Sequence, residues 1–153
     1  MKDLTLRRIL LVEDDAKDVE LTLEALTEYN LANEVVVVRD GVEALDYLYR
    51  RGEFAHRGDN NPAVVLLDLK MPRMDGTQVL KEMKSHESFK TVPVVILTSS
   101  SETQDIEECY KLGVNAYVVK PVQFPKFIEA VKRVGIFWAI VNEPPPGSIR
   151  KPG

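Results

Sequence analysis

Short, mostly apolar segments alternate along this chain with segments whose apolar residues recur at helical spacing. The apolar segments are Ile9–Val12, Val35–Val38, Ala63–Leu67, Pro93–Leu97 and Asn115–Val119. Nearly unbroken apolar runs of this length are typical of strands buried on both faces of a parallel sheet. Helical spacing predicts helices that include Val19 to Asn30, Val42 to Tyr49, Val79 to Met83, Glu102 to Gly113 and Pro125 to Val141. This alternation predicts a three-layer α/β/α sandwich in which right-handed crossovers join the parallel strands.

Two helix starts and one long connection carry polar signals. Asp75 with Gln78, and Ser101 with Gln104, have the spacing of a capping box, in which each side chain bonds the other residue's backbone N–H. The segment Arg50–Pro62 is polar and shows no period, so we expect an exposed loop, longer than the roughly 2 to 6 residues common between a helix and a strand. Tolerated surface is the simpler explanation of its length, and a partner contact is the alternative.

Composition predicts one compact domain and limits its partners. The 153 residues, 44% of them hydrophobic, support a single core, which we assign to residues 1–142, followed by a proline-rich tail at 143–153. The formal net charge of −4 does not favour nucleic acid or anionic lipid. Val134–Val141 is far shorter than the roughly 18 residues of a membrane span, and the charged start does not resemble a signal peptide. Cys109, the only cysteine, cannot form an internal disulfide. We therefore expect a cytoplasmic protein with no nucleic-acid or membrane partner.

Polar side chains with complementary chemistry follow four of the predicted strands. Because parallel strands present their C-terminal ends at one edge of the sheet, these side chains are expected to converge. They are Glu13, Asp14 and Asp15 after the first strand, Asp68 after the third, Thr98 and Ser99 after the fourth, and Lys120 after the fifth. Clustered carboxylates repel one another without a cation, and their hard oxygens favour magnesium. Zinc fits poorly, because Cys109, His56 and His86 lack ligand spacing.

The convergent groups have the chemistry of a phosphoryl site. Asp68 is the expected nucleophile, attacking phosphorus to form an acyl phosphate, while Lys120 and Thr98 hold the phosphoryl oxygens. Each residue alone has a plainer explanation: Thr98 as a β-branched strand end, Lys120 as a solvated charge, and the acids as favourable charges at a helix N-terminus. Their joint occurrence at four strand ends favours the phosphoryl site.

The motifs around these residues resemble the receiver domain of two-component response regulators. They are Val12–Asp15, Leu67–Gly76, Leu97–Ser99 and Tyr117–Pro121, and the resemblance extends over about residues 8 to 141. It implies a flavodoxin-like (CheY-like) fold with strand order 2-1-3-4-5. It also implies that Asp68 takes a phosphoryl group from a histidine of a sensor histidine kinase. Such a protein is not a conventional enzyme, but it catalyses its own phosphotransfer and autodephosphorylation.

The resemblance also implies a set of magnesium ligands. The side chains of Asp14 and Asp68 would bind the ion directly, Glu13 through water, and Lys70 through its backbone carbonyl. Two positions differ from the commonest pattern of the family. Ser99 stands where alanine is frequent, and Lys70 places a long cation beside the site.

A conformational switch is implied as well. Lys120 would bridge to the phosphoryl oxygens and Thr98 would move toward them, while Tyr117 changes its rotamer at the same time. The coupled motion would alter the face made by the fourth helix, the fifth strand and the fifth helix.

A narrower resemblance is to single-domain regulators that partner bacterial phytochromes. It is carried by the loop Arg50–Pro62, the motif Gln123–Phe127 and the apolar end of the last helix, and it implies a phytochrome-type kinase as partner. In that helix Ile136, Phe137 and Ile140 point away from the face predicted to be buried. We expect them to form a homodimer interface with the fourth helix and the fifth strand; the alternative is that the tail folds over them. Twelve residues follow Val141 in this sequence, so we expect no DNA-binding output domain.

Other functions stay open at this point. A phosphohydrolase with an aspartyl nucleophile needs a second Asp two residues later, where this chain has Lys70. A constitutive binding scaffold would not need Asp14, Asp68, Thr98 and Lys120 together. A phosphate sink without its own output has the same site as a regulator that carries a signal.

Overall fold

Five parallel strands form one sheet at the centre of the molecule. The computed structural model describes residues 8–27, 35–58 and 61–120, together with Pro125 and Glu129. The strands are β1 (Ile9–Val12), β2 (Val35–Val38), β3 (Val64–Leu67), β4 (Val94–Thr98) and β5 (Ala116–Val119). They lie in the order β2-β1-β3-β4-β5. The predicted strands and the order implied by the resemblance are both confirmed.

Helices connect consecutive strands. They are α1 (Ala16–Thr27), α2 (Gly41–Tyr49), α3 (Gly76–Lys84) and α4 (Thr103–Lys111), and a short 3-10 helix covers Gly52–Phe54. Pro125 and Glu129 have helical backbone, as predicted for the start of the last helix. The remainder of that helix, including Ile136, Phe137 and Ile140, lies outside the described residues, and so does the predicted boundary at residue 142. Among the helices of the described segments, none has the length and apolar character needed to cross a membrane.

The sheet separates two apolar cores, because alternate residues of a strand point to opposite faces. In β1, Leu10 and Val12 pack on the side of α2, α3 and α4, whereas Ile9 and Leu11 pack on the side of α1. The other strands repeat the same division. All four residues of β1 are at most 1% exposed, which is the burial on both faces that its sequence predicts. Helices on both faces complete the three-layer sandwich.

One predicted capping box is confirmed and the other is wrong. Asp75 caps α3 by accepting the Gln78 N–H, and the Gln78 side chain accepts the Asp75 N–H in return. At α4 the N-cap is Glu102, and no side chain caps it. The residue that bonds the chain there is Ser100, whose hydroxyl accepts the Glu102 N–H and donates to Asp105, so the capping box predicted at Ser101 does not form.

The described part of the connection from Arg50 to Pro62 is mostly exposed, as predicted. It is nevertheless anchored, because the Arg57 guanidinium donates to the backbone carbonyls of Tyr47 and Leu48. The same guanidinium lies 4.1 Å from the centroid of the Tyr47 ring. The loop is therefore fastened to the C-terminal end of α2 rather than loose along its length.

Candidate functional site

Three carboxylates converge at the C-terminal edge of the sheet, as the sequence predicts. Glu13 and Asp14 follow β1, Asp68 follows β3, and one carboxylate oxygen from each lies within 4.8 Å of the others. Glu13 and Asp68 are buried, whereas Asp14 is exposed. The group therefore opens to solvent on the Asp14 side.

The backbone at Asp68 and Leu69 is fixed by hydrogen bonds on two sides. Its N–H donates to the carbonyl of Val12 in the neighbouring strand (3.1 Å), so β1 and β3 end side by side. On the other side, the Gly76 N–H donates to the Leu69 carbonyl (2.9 Å). A Cβ at Gly76 would collide with the Asp68 carbonyl oxygen and approach Leu69 Cα to 2.9 Å. Only glycine lets α3 begin this close to the end of β3.

Lys120 brings an ammonium group into the acidic cluster. Its Nζ lies 2.6 Å from Glu13 Oε1, 2.8 Å from Asp18 Oδ2 and 3.6 Å from Asp68 Oδ2. The Lys120 side chain is only 11% exposed, so water screens these contacts weakly. Lys120 and Asp68 were expected to meet and do so; the participation of Asp18, in the first turn of α1, was not expected.

Burial and charge alter the pKa values of two groups in the cluster. Burial raises the pKa of Glu13 to about 7, since the hydrogen bond from Lys120 offsets the desolvation only in part and the charge of Asp68 adds to it. For Lys120 burial acts in the opposite direction, but the hydrogen bonds to Asp18 and Glu13 outweigh it and raise the pKa of the ammonium. Lys120 is therefore a permanent cation at this edge.

Thr98 and Tyr117 lie on the neighbouring strands and share a contact region. Thr98 is fully buried, and its hydroxyl accepts the Ser100 N–H at 3.3 Å. The Tyr117 hydroxyl donates to the Ser100 carbonyl at 3.0 Å, and its ring packs against the core on the α4 side. The Lys120 N–H donates to the Thr98 carbonyl (2.7 Å), which ties the end of β5 to the end of β4. Both predicted switch residues thus border the segment that leads from β4 into α4.

The segment after Asp68 is held in place from α2. Arg73 donates two hydrogen bonds to Asp40, at 2.8 and 3.1 Å, and the Gly41 N–H donates to the Met74 carbonyl (3.1 Å). Arg73 has a φ of 65°, a left-handed conformation that is uncommon outside glycine. Lys70, on the same segment, extends outward with a 71% exposed side chain, 4.0 Å from Asp105. The segment that carries the Lys70 carbonyl therefore has a defined path.

The donor set fits a hard divalent cation. Glu13, Asp14 and Asp68 offer carboxylate oxygens only, which suits magnesium and related ions. The described residues do not join Cys109 to the two histidines: the thiol is buried in α4, and the His86 ring stacks on Phe89. Burial, with Asp105 and Glu108 nearby, raises the pKa of Cys109 to about 11, which disfavours a metal-binding thiolate.

The sequence matches a known family over most of its length. The model of the response regulator receiver domain aligns with residues 9–132, a range that contains every strand and helix given above. The chain belongs to this family. The chain is thus a response regulator of two-component signalling. In such a system a histidine kinase is the partner of the response regulator. Receiver domains bind a divalent metal, and the acidic cluster provides ligands of that kind.

Three relatives show where this receiver domain stands within the family. The response regulator Rcp1 of Synechocystis sp. (strain ATCC 27184 / PCC 6803 / Kazusa) is 36% identical over 130 residues, covering 85% of this chain and 87% of Rcp1. Its solved Mn(2+)-bound form superposes with a TM-score of 0.72, at 33% identity over 96% of this chain and 99% of that one. The bacteriophytochrome response regulator RtBRR is 58% identical over 94% of this chain and 87% of its own, with a TM-score of 0.83. The phosphorylated cyanobacterial phytochrome response regulator RcpA is 41% identical over 88% of this chain and 94% of its own, with a TM-score of 0.73. The receiver domain is therefore related to the phytochrome response regulators.

Proposed function

We propose that this protein is a single-domain response regulator that accepts a phosphoryl group on Asp68 from a phytochrome-type sensor histidine kinase. The observation that carries the proposal is the position of Asp68, beside two further carboxylates and 3.6 Å from the ammonium of Lys120. A nucleophile, an acidic metal site and a fixed cation meet there. Phosphoryl transfer depends mostly on such positioning and charge neutralisation.

The transfer step follows from these groups. A carboxylate oxygen of Asp68 attacks the phosphorus of a phosphohistidine, and a P–O bond forms as the P–N bond breaks. The electron pair of the broken bond stays on the imidazole nitrogen of the kinase, and Asp68 becomes an acyl phosphate. Lys120 and the Thr98 hydroxyl would then hold the phosphoryl oxygens.

Magnesium is the ion we propose for the acidic cluster. Asp14 and Asp68 would bind it through side chains, Glu13 through water, and Lys70 through its backbone carbonyl. The bound ion supplies positive charge that offsets the charge of the phosphoryl oxygens. The Mn(2+)-bound form of Rcp1 supports a divalent cation, and the oxygen-only donor set supports a hard one.

The output of the switch is a change in the surface that includes α4 and β5. Thr98 would move toward the phosphoryl group, and Tyr117 would change its rotamer with it. The contacts that both residues make with Ser100 support this coupling, because a shift of Thr98 disturbs the carbonyl that Tyr117 bonds. Contacts that the phosphoryl group makes in one state only would shift the population toward that state.

The same face is the proposed homodimer interface. Tyr110 on α4 is 45% exposed and Val119 on β5 is 38% exposed, which places two large apolar side chains on this surface. They would join Ile136, Phe137 and Ile140 of the last helix. The kinship with RtBRR and RcpA supports a phytochrome-type kinase as the source of the phosphoryl group.

A phosphorylation assay tests the proposal. The 153-residue protein is incubated with acetyl phosphate and MgCl2, and intact-mass spectrometry is expected to detect one phosphoryl adduct that alkali removes. Asp68→Asn should carry no adduct, and an excess of EDTA should suppress the adduct on the wild type. Asp46→Asn makes the same chemical change on α2 and should leave the adduct intact.

The phosphate source then separates the finer claims. An autophosphorylated phytochrome-type histidine kinase is expected to label the protein faster than a kinase with an unrelated sensor at equal concentration. An adduct that persists in Asp68→Asn would contradict the assignment of the acceptor. Steady release of phosphate with no adduct would instead favour a phosphohydrolase.

A further inference from the structure

We infer that Asp18 is a positioning residue that restrains Lys120 in the unphosphorylated protein and thereby opposes phosphoryl binding at Asp68. The inference rests on the proposed function and adds a residue to it. Asp18 lies outside the strand ends that define the site, and it reaches the site from the first turn of α1. Its carboxylate is bonded to Lys120, 102 positions further along the chain.

The backbone around Asp18 holds it in place. Asp15 bonds the first turn of α1, since its Oδ1 accepts the N–H of Lys17 at 2.9 Å and that of Asp18 at 3.1 Å. Glu13 Oε2 accepts the Asp15 N–H at 3.2 Å. Hydrogen bonds to the side chains of Glu13 and Asp15 thus hold the segment that leads from β1 into α1, and Asp18 projects from a fixed turn.

The distances show which acids hold Lys120. Glu13 and Asp18 lie at 2.6 and 2.8 Å, within hydrogen-bond range, whereas Asp68 lies at 3.6 Å, beyond it. The ammonium has three donors, and two of them point to acids other than the phosphoryl acceptor. Lys120 is shielded from solvent and Asp18 is partly shielded, with side-chain exposures of 11% and 33%. The pair is therefore stronger than an ion pair on the open surface.

A contact that exists in one state and weakens in the other biases the equilibrium toward the first. For Lys120 to bond the phosphoryl oxygens, its ammonium must turn toward Asp68 and weaken its bond to Asp18. Asp18 also adds a negative charge beside the position of an anionic group. Both effects disfavour the phosphoryl state.

Asp18 differs in this respect from Glu13. Among the described residues, the acids placed to hold a metal ion are Glu13, Asp14 and Asp68, and Asp18 is not one of them. A bound cation would engage Glu13 and reduce its hold on Lys120, but it would leave Asp18 available. Asp18 is therefore the restraint that persists when the metal site is filled.

The test uses beryllofluoride, a non-covalent mimic of the phosphoryl group, with the 153-residue protein at saturating MgCl2. Isothermal titration of wild type and Asp18→Asn gives the dissociation constants. Asparagine keeps the shape of the side chain and removes its charge. We expect Asp18→Asn to bind beryllofluoride about fivefold or more tightly, and Asp18→Ser to shift in the same direction.

Glu20→Gln is the matched control, since it removes one acid from the same helix at an exposed position. Its affinity should stay within about twofold of wild type, as expected for a solvent-exposed charge that salt screens. A gain in affinity cannot arise from partial unfolding. If Asp18→Asn and Asp18→Ser bind equally or more weakly than wild type, the inference is overturned. If the wild type does not bind beryllofluoride, the proposed function fails instead.

Discussion

At the scale of single residues, Gly76 shows how the backbone around the site limits the sequence. The space that a Cβ would fill is already taken by the Asp68 carbonyl and by Leu69 Cα. The demand comes from close approach and not from an unusual backbone angle. A side chain here would push the start of α3 and the end of β3 apart.

Gly76→Ala is therefore expected to destabilise the protein by about 2 kcal/mol, a typical cost of overpacking, even though alanine favours helix. Urea unfolding followed by circular dichroism measures the loss. Gly58→Ala is the matched control, because a Cβ at Gly58 meets nothing within 4 Å, and its change should stay within about 0.5 kcal/mol. Equal stability of the two variants would show that the junction can relax.

Residue by residue, the sequence predicted the site where a general rule applied. Parallel strands end at one edge, so Glu13, Asp68 and Lys120 could be placed together without coordinates. Asp18 could not, because it belongs to a helix turn and reaches the site only through the direction of α1. An acid in the first turn of a helix is commonly explained by its favourable interaction with the helix dipole. The sequence alone therefore gave no reason to assign Asp18 a contact with Lys120.

At the scale of elements, the link between α2 and the segment after β3 orders one side of the site. Asp40 has two functions there: it caps α2 by accepting the Glu43 N–H at 2.9 Å, and it accepts both hydrogen bonds from Arg73. Burial by itself would raise the pKa of Asp40, but the hydrogen bonds from Arg73 and from the Glu43 N–H outweigh it and lower that pKa. The carboxylate form is thus favoured by folding.

Substitution of Asp40 should separate these functions. Asp40→Asn keeps a good N-cap and weakens the Arg73 contact, at a cost of about 1 kcal/mol, whereas Asp40→Ala should lose about 1 kcal/mol more. Because the folded-state pKa is lowered, the charge contribution is complete above the ordinary Asp value of 3.8 and disappears as the pH falls through the folded value. Urea unfolding at several pH values should show the advantage of wild type over Asp40→Asn shrinking toward pH 3. An advantage that grows with acidity would contradict this sign.

Element boundaries were predictable to the extent that local contacts set them. The box at Asp75 and Gln78 forms as predicted, because both partners lie in the same turn and each side chain reaches the other residue's N–H. At α4 the same local rule failed. Ser100, and not Ser101, bonds this turn through its hydroxyl, which donates to Asp105, and the helix begins at Thr103. The spacing of a capping box does not show which of two adjacent serines will bond the first turn of the helix.

At the scale of the whole molecule, the described residues include three large apolar side chains that are exposed, and two of these share one face. Tyr110 and Val119 lie on α4 and β5, while Leu21 lies on α1, across the sheet. The first two belong to the face that we propose for the homodimer. Leu21 belongs to the opposite layer and serves as a control, because it is also a large apolar side chain exposed to solvent.

Sedimentation velocity tests the homodimer. We expect the wild type to sediment as a dimer at high micromolar concentration, and Tyr110→Glu and Ile140→Glu to shift it toward monomer by placing charge in an apolar interface. Leu21→Glu adds the same charge on the other layer and should leave the dimer intact. A monomeric wild type, with and without beryllofluoride, would remove the basis for this interface.

The global fold was predictable in part from the chain alone. Alternation of strand and helix dictated parallel strands in a layered sandwich, because short crossovers with one handedness leave few other solutions. Periodicity does not say which strand lies beside which. The order β2-β1-β3-β4-β5 came from the resemblance and not from the pattern, and the structure agrees with it.

The division of each strand between two cores has a consequence for how the molecule can vary. Alternate residues of a strand pack against different sets of helices. The effect of a substitution on one side on stability is therefore largely independent of a substitution on the other. Evolution or protein engineering could therefore change residues in the layer of α2 and α3 to bind a new partner, while the residues in the layer of α1 stay the same. What both layers must preserve is the shared rim where the strands stop.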